Sequence, residues 1–520
     1  MSKYTRNQAI LSKIETTYGS DPTPTLANGL LIGVPTFSVN GREVTRDFLR
    51  ATFSQQGSIV GEKTCNVKFP TELKGSGVVG QIPQFAPNLR AAGLRQENIL
   101  AFLFNSLAGV FTVGEIVTGG TSSCVCVVEA KTATHLFLDV GQIDLTVTSS
   151  ANFAVGEIVT DGTSAATGKI IQIPDATSIV LSQVSGTFGV HTVTGGSTGT
   201  STAASVVTAL DPPVEDETLT GASSGATCDS NYDSIVACSL TVDDSSGFEI
   251  GETLTGNDSG ANAAIVYIPD GTTIYVGTVS DGPFTTDDDA AEGGTSGATC
   301  AISSVDATGF NVYQPGWMWE PRSKDFESCT QYFFADDIRF RMLGCRGNAD
   351  MDFSVGGYPI LNLDMTSKYT APTDTAIGGT LTVDENAAPQ VLGVDLQIGD
   401  FATPVAERLT IDYANNVAQK RSMRESDGIK AINVTGRNSA GSIDPDVESL
   451  STFNPWTTWD ASTKVCIFAD VGSSYGNRVL VFANESQFKN PTFADKDGVM
   501  AYNIPFMPTG SDNEVKLFIY

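Results

Sequence analysis

The sequence predicts a mainly β protein of the α+β kind: a domain of strands with one or two helices and long loops, interrupted by an inserted β-rich repeat region. Three observations carry this. The apolar runs favour Val, Ile, Thr, Phe and Tyr over Leu and are punctuated by 52 glycines, a composition of strands and turns. Between Phe111 and Cys300 a short alternating run, a Gly-Ser-Thr turn and a second alternating run recur several times. The charge breaks sharply at both ends of that same stretch.

The repeats are explicit. Val113 to Ser122 returns nearly unchanged at Val155 to Ser164. Weaker copies run from Glu217 to Ala226 and from Ile250 to Ala261, with traces at His191 to Gly196 and Glu292 to Ala298. Recurrence every ~30–40 residues means that one small β unit is used repeatedly. Residues 105–310 hold two basic side chains, Lys131 and Lys169, against 25 acidic ones, and so supply −23 of the formal net charge of −29. Like charges crowded this way need water around them, which marks a separate, solvated insertion. The resulting division is 1–105 and 311–520 for the two parts of the main domain, with 106–208 and 209–310 as two inserted β modules.

Taken in order, residues 1–36 read as an arm, stopped by Asp21-Pro22-Thr23-Pro24. Phe37 to Phe53 reads as an interrupted strand and Cys65 to Phe69 as an alternating one, with a polar hairpin or loop over Gln55–Glu62 between them. Pro83 to Arg95 is the helix, because Phe85, Leu89 and Ala92 make one apolar stripe and Arg90 and Arg95 lie toward its C-terminal end. Trp317, Trp319, Phe326, Tyr332 and Phe333 suit core packing where the chain re-enters the domain. Strands follow at Ile338–Met342, Asp350–Val355, Val391–Ile398, Glu407–Ile411, Ile429–Val434, Arg478–Phe482, Met500–Phe506 and Val515–Tyr520, with a wet loop over Pro372–Pro389.

The sequence assigns no catalytic residue, metal ligand or cofactor. His135 and His191 have no Cys or His partner at ligand spacing. Gly162 to Lys169 has the wrong glycine spacing and Ile170 where a phosphate loop needs a hydroxyl, and Asp495 to Gly498 leads to Ile504 where a calcium loop needs Glu. The serines sit in Gly-Thr turns without a nucleophile elbow. The nine cysteines lack regular spacing and are expected as free buried thiols; no apolar run reaches membrane-spanning length, and Met1 to Gln8 leads into no export signal core. A net charge of −29 opposes tight binding of nucleic acid but suits a wall past which it slides.

Arg421 to Ile429 followed by Gly436 to Asp446, together with Tyr369 to Asp374, Ala494 to Gly498 and Thr509 to Glu514, resembles the tail tube (major tail) proteins of long-tailed, non-contractile bacteriophages. Lys13 to Pro24, Thr45 to Arg50 and Ala86 to Leu94 fit the same pattern at the other end, so the resemblance covers 1–100 and 320–520 and departs at the insertion. It implies a tail-tube-like β-sandwich or barrel with a flanking helix, in a non-enzymatic virion subunit, made in the host bacterial cytoplasm, that forms stacked hexameric rings whose inner strands join into a barrel conducting viral DNA. The implied partners are further copies, the tail terminator and tip complex, and DNA in transit without specific binding; the insertion would face outward and could take host-surface glycans. A capsid-decoration, tail-tip or glycan-binding tail protein is the alternative; irregular repeats poor in aromatics weigh against a spike. The expected lumen donors are the Thr36–Arg50 and Cys65–Leu73 strands with their cross-sheet partners, and the carboxylates singled out are Glu43, Asp47, Glu62 and Glu72. Arg42, Arg46, Lys63 and Lys68 lie beside them, and strand alternation leaves open which set faces in, since a one-residue slip exchanges them.

Overall fold

In the computed structural model the alternating runs become strands: 52% of residues are in strand and 3% in helix, which makes the chain mainly β. The structure describes residues 7–46, 48–49, 56–195, 200–201, 204–210, 213, 217–230, 238–245, 247–248, 252–270, 272–276, 279–294, 296–306 and 313–520. The chain divides into two units, one of Met1–Gly77, Gln81–Glu97 and Trp317–Tyr520, the other of Val78–Gly80 and Asn98–Gly316.

The principal strands of the first unit are β1 (Gln8–Ile14), β2 (Thr36–Val44), β3 (Ile59–Glu72), β4 (Cys329–Ala335), β5 (Ile338–Ser354), β6 (Ile360–Lys368), β7 (Ala406–Asp412), β8 (Asn415–Arg421), β9 (Ile429–Arg437), β10 (Ala440–Pro445), β11 (Lys464–Val471), β12 (Val479–Phe488), β13 (Thr492–Lys496), β14 (Val499–Pro508) and β15 (Lys516–Ile519). An eight-stranded antiparallel sheet runs β2-β3-β6-β5-β7-β10-β14-β13. Its inner face, with Val67, Phe69, Leu361, Leu363, Met351, Phe353, Leu409 and Ile443, packs on a second layer of β15, β12 and β11 that supplies Val479, Val481, Ile467, Ala469, Leu517 and Ile519. Each such side chain contributes about 1.5–3 kcal/mol on burial, so the sandwich is held chiefly by this seam.

Several elements differ from the sequence reading: the strand expected over Phe37–Phe53 ends at Val44, the loop expected over Gln55–Glu62 is strand from Ile59, and the strand expected over Val391–Ile398 covers only Asp395–Ile398. The expected arm is partly a strand: β1 pairs along its whole length with β4, because Ile10 and Leu11 alternate onto two buried faces. The helix is one and a half turns, α1 (Ala86–Ala91), with Pro87 in its first turn; Phe85, Leu89 and Ala92 are buried as the stripe requires. A second short helix, α2 (Pro455–Asp460), is capped by Asn454, whose side chain accepts from the Thr457 N–H.

The second unit contains three cores rather than the expected two modules. Phe102, Val117, Cys126, Leu138 and Leu219 form one; Leu145, Val159, Ile170, Leu181 and Val193 another; Leu240, Leu254, Ile265, Ile274 and Ala291 the third. The first is discontinuous, since its strands come from both sides of the second. In each core two repeats pair antiparallel about the same point: Thr220 opposite Thr118, Thr194 opposite Thr160, Thr255 opposite Glu292. The recurring Glu explains the pairing. Glu115 accepts hydrogen bonds from the N–H of Ser224 (2.9 Å) and its Oγ (2.8 Å) in the partner repeat, and Glu217 accepts from the N–H (2.9 Å) and Oγ (2.8 Å) of Ser122 in return. In the third core Glu252 holds the N–H of Ser296 (2.8 Å) and Asp288 holds that of Ser259 (2.8 Å). In the first and third cores the repeats are therefore halves of pseudo-twofold units locked by exchanged carboxylates, whereas in the second Asp161 accepts from Thr163 and Ser164 of its own repeat.

Burial opposes ionisation of Glu115, Asp161 and Asp288, but the backbone N–H groups aimed at them more than offset it, and all three carboxyls lie below their ordinary range. The unfolded chain takes up these protons near pH ~4 and the folded chain only lower still, so stability present above about pH 5 is lost as the pH falls. Thermal melting with hydrogen exchange over 116–128 and 217–228 should show the second unit opening at a lower temperature at pH 3 than at pH 7. Equal transitions at the two pH values would refute the lock.

Candidate functional site: the polar face of the eight-stranded sheet

The sheet's other face is built from the alternate positions of the same strands. Register sets Lys68, Asp364 and Asn348 in one row, and Pro70, Asn362, Asp350 and Asp412 in the next. A third row holds Glu72, Ile360, Asp352, Thr410 and Ser442. Side chains on neighbouring strands hold one another: Asn66 Nδ2 donates to Asp364 Oδ1 (2.6 Å), Asn362 Nδ2 to Asp350 Oδ1 (2.7 Å) and Asn348 Nδ2 to Asp412 Oδ1 (2.6 Å). Lys68 Nζ lies 2.6 Å from Asp364 Oδ2, and Arg408 pairs with Asp352. Over these rows and the adjoining Ser354–Arg408 pair, five carboxylates (Glu72, Asp350, Asp352, Asp364, Asp412) face two cations (Lys68, Arg408).

Electrostatics follow from this packing. Burial pushes the Asp350 carboxyl up, with the neighbouring charges of Asp412 and Asp352 adding to it against the Asn362 hydrogen bond. The Arg408 hydrogen bond holds Asp352 down, and the Asp364 hydrogen bond raises Lys68. Two depressions on this face, of about 530 and 380 Å³, share Asp350, Asn362 and Asp412. They are lined by carboxylates, amides and hydroxyls in net acidic excess, with Lys68 and the apolar Val34 and Pro70 in the larger and Arg408 and Met351 in the smaller. No nucleophile is paired with a base there, and among the described residues no group of His, Cys, Asp and Glu could hold a metal ion. Chemically, such a wall repels phosphate and stays wet.

The residues singled out from sequence fall in different places. Glu72 lies on this face and pairs with Lys74 at 2.9 Å. Glu62 lies on the same strand, but the β8–β9 hairpin covers it: Arg421 Nε sits 3.1 Å away, Arg42 Nη1 at 3.6 Å, and Gly428 packs on its Cβ. Its own backbone N–H and then these guanidiniums hold its carboxyl below the ordinary range. Glu43 is exposed on β2 opposite Val60. Asp47 lies outside the described residues. Asp350, Asp352, Asp364 and Asp412 were not singled out. For Asp350, Asp352 and Asp364 the signal was available in the alternation of Asn348 to Ser354 and Asn362 to Thr366, which puts the polar residues of those runs on one face. His191, expected to hold no metal, has Nδ1 2.9 Å from Asp161 Oδ2.

These features define a mainly β protein with a broad acidic sheet face and an inserted unit of duplicated β modules. Comparison with protein-family models finds no match, and comparison with curated proteins finds none either.

Proposed function

We propose that the chain is the structural subunit of a phage-type tail tube. Copies stack as hexameric rings into a conduit for DNA delivery, with the inserted unit carried outside and no enzymatic role. One observation carries this reading: a wide antiparallel sheet has a polar, net-acidic face whose side chains bind one another rather than converge on a reacting centre. A duplex passing such a wall meets no fixed cation cluster on which to stick. Among the described residues β2 and β13 each pair along one side only, although β14 also continues into β12, and open edges are an aggregation hazard that closure between copies removes. Partners are then further copies, the terminator and tip proteins, and DNA in transit; the place of work is the virion tail. Negative-stain imaging of the purified full-length chain at increasing concentration should reveal hollow tubes with six-fold rings. Stable monomers at high concentration, or particles of three-fold or five-fold symmetry, would refute the reading.

A further inference from the structure

The two edges of the eight-stranded sheet differ in charge. At one, the β2–β3 hairpin carries Arg42, Arg46 and Lys63 against Glu43 and Glu62. Docked on it through Arg421 and Glu62, the β8–β9 hairpin adds Lys420, Arg421, Arg424 and Lys430 against Glu425 and Asp427. Seven cations thus meet four carboxylates among the described residues. Val39, Val44, Ile59, Val60 and Met423 are exposed among them. A two-stranded ribbon this bare on both faces is marginal in water.

The other edge is acidic and aromatic. The β13–β14 hairpin and the segments beside it carry Asp446, Glu448, Asp460, Asp495 and Asp497 against Lys496, which pairs with Asp444 and Asp446. Between them Trp459, Phe493, Val499 and Met500 are exposed. Phe493 stacks on Tyr502 with centroids 5.5 Å apart and meets Trp456 edge-on at 5.7 Å, so this apolar surface is rigid. Seven inter-strand spacings of ~4.8 Å set the two edges about 34 Å apart along the sheet, too far for one copy to satisfy itself.

We propose that a second copy of this chain occupies the acidic aromatic edge, seating its basic β2–β3 and β8–β9 hairpins there, head to tail. The occupant follows from complementarity: cations flanking aliphatic side chains on one edge meet carboxylates flanking aromatic ones on the other. The contact is heterologous, so each copy keeps one edge free for the next. The proposal rests on the self-assembly proposed above and adds which surfaces make it.

Two charge reversals test it in the full-length chain: Arg46→Glu with Arg424→Glu at the basic edge, and Glu448→Lys with Asp460→Lys at the acidic edge. All four residues are exposed, and unchanged thermal melting will confirm that each variant folds. Sedimentation velocity in low salt should show each variant alone associating at least tenfold more weakly than the unaltered chain. A mixture of the two variants should associate again, at least in pairs, because the unaltered acidic edge of one variant then meets the unaltered basic edge of the other. If each variant alone assembles like the unaltered chain, or the mixture stays apart, this contact is wrong while tubes seen with the unaltered chain keep the tube reading. If the unaltered chain never associates, both fall together.

Discussion

Replacing Glu15 by Ala should lower the stability of the first unit by about 3–5 kcal/mol, the cost typical of breaking a buried charged network. Glu15 follows β1 and is buried. Its carboxylate accepts from Ser328 Oγ (2.6 Å), Thr330 Oγ1 (2.7 Å), the Gly344 N–H (2.7 Å) and the Gly19 N–H (2.6 Å). Four donors from three distant parts of the chain therefore lose their acceptor at once, and buried donors left unsatisfied bear the full desolvation penalty. Glu15→Gln should fall between, since the amide keeps one acceptor oxygen but turns N–H groups toward donors. Glu43→Ala, on exposed β2, should stay within about 0.5 kcal/mol. Chemical denaturation followed by the fluorescence of Trp317 and Trp319 measures all three, and an unchanged midpoint for Glu15→Ala would mean that the network does not hold the segment.

The second large effect is a coupling within the inserted unit. A Cβ on Gly119 would lie 2.5 Å from the Glu217 carboxylate, and one on Gly221 2.7 Å from that of Glu115. Yet the equivalent of Gly119 in the second core is Asp161, and the equivalent of Glu217 is His191. Asp161 supplies the lock from its own repeat, accepting from the N–H groups of Thr163 (2.8 Å), Ser164 (2.9 Å) and Gly189 (3.0 Å), with His191 against it. The two sites have exchanged chemistry together. Gly119→Asp alone should therefore cost about 2–4 kcal/mol through overpacking and paired carboxylates, and Glu217→His alone a similar amount through lost acceptors. The double variant should recover about 2 kcal/mol or more of the summed loss. A double-mutant cycle on the full chain, read by exchange of residues 116–128, measures the coupling. Strict additivity would show that the second core's arrangement is not the substitute argued here.

The sequence by itself determined the β class, the repeats and most strand positions, because alternation and turn chemistry are local properties that each segment carries alone. It also contained the polar face, since Asp350, Asp352 and Asp364 share parity with Asn348 and Asn362. What it left open was which polar strands lie side by side. Glu62 and Glu72 have the same parity on β3, but only the packing of β8 and β9 separates a covered carboxylate from one on the face. The three cores likewise depended on contacts far apart in the chain: Glu115 finds its acceptor role at Ser224, 109 residues on. Local pattern fixes which way a side chain points from its own strand; what it meets there is set by non-local pairing, and only the tertiary structure decides that.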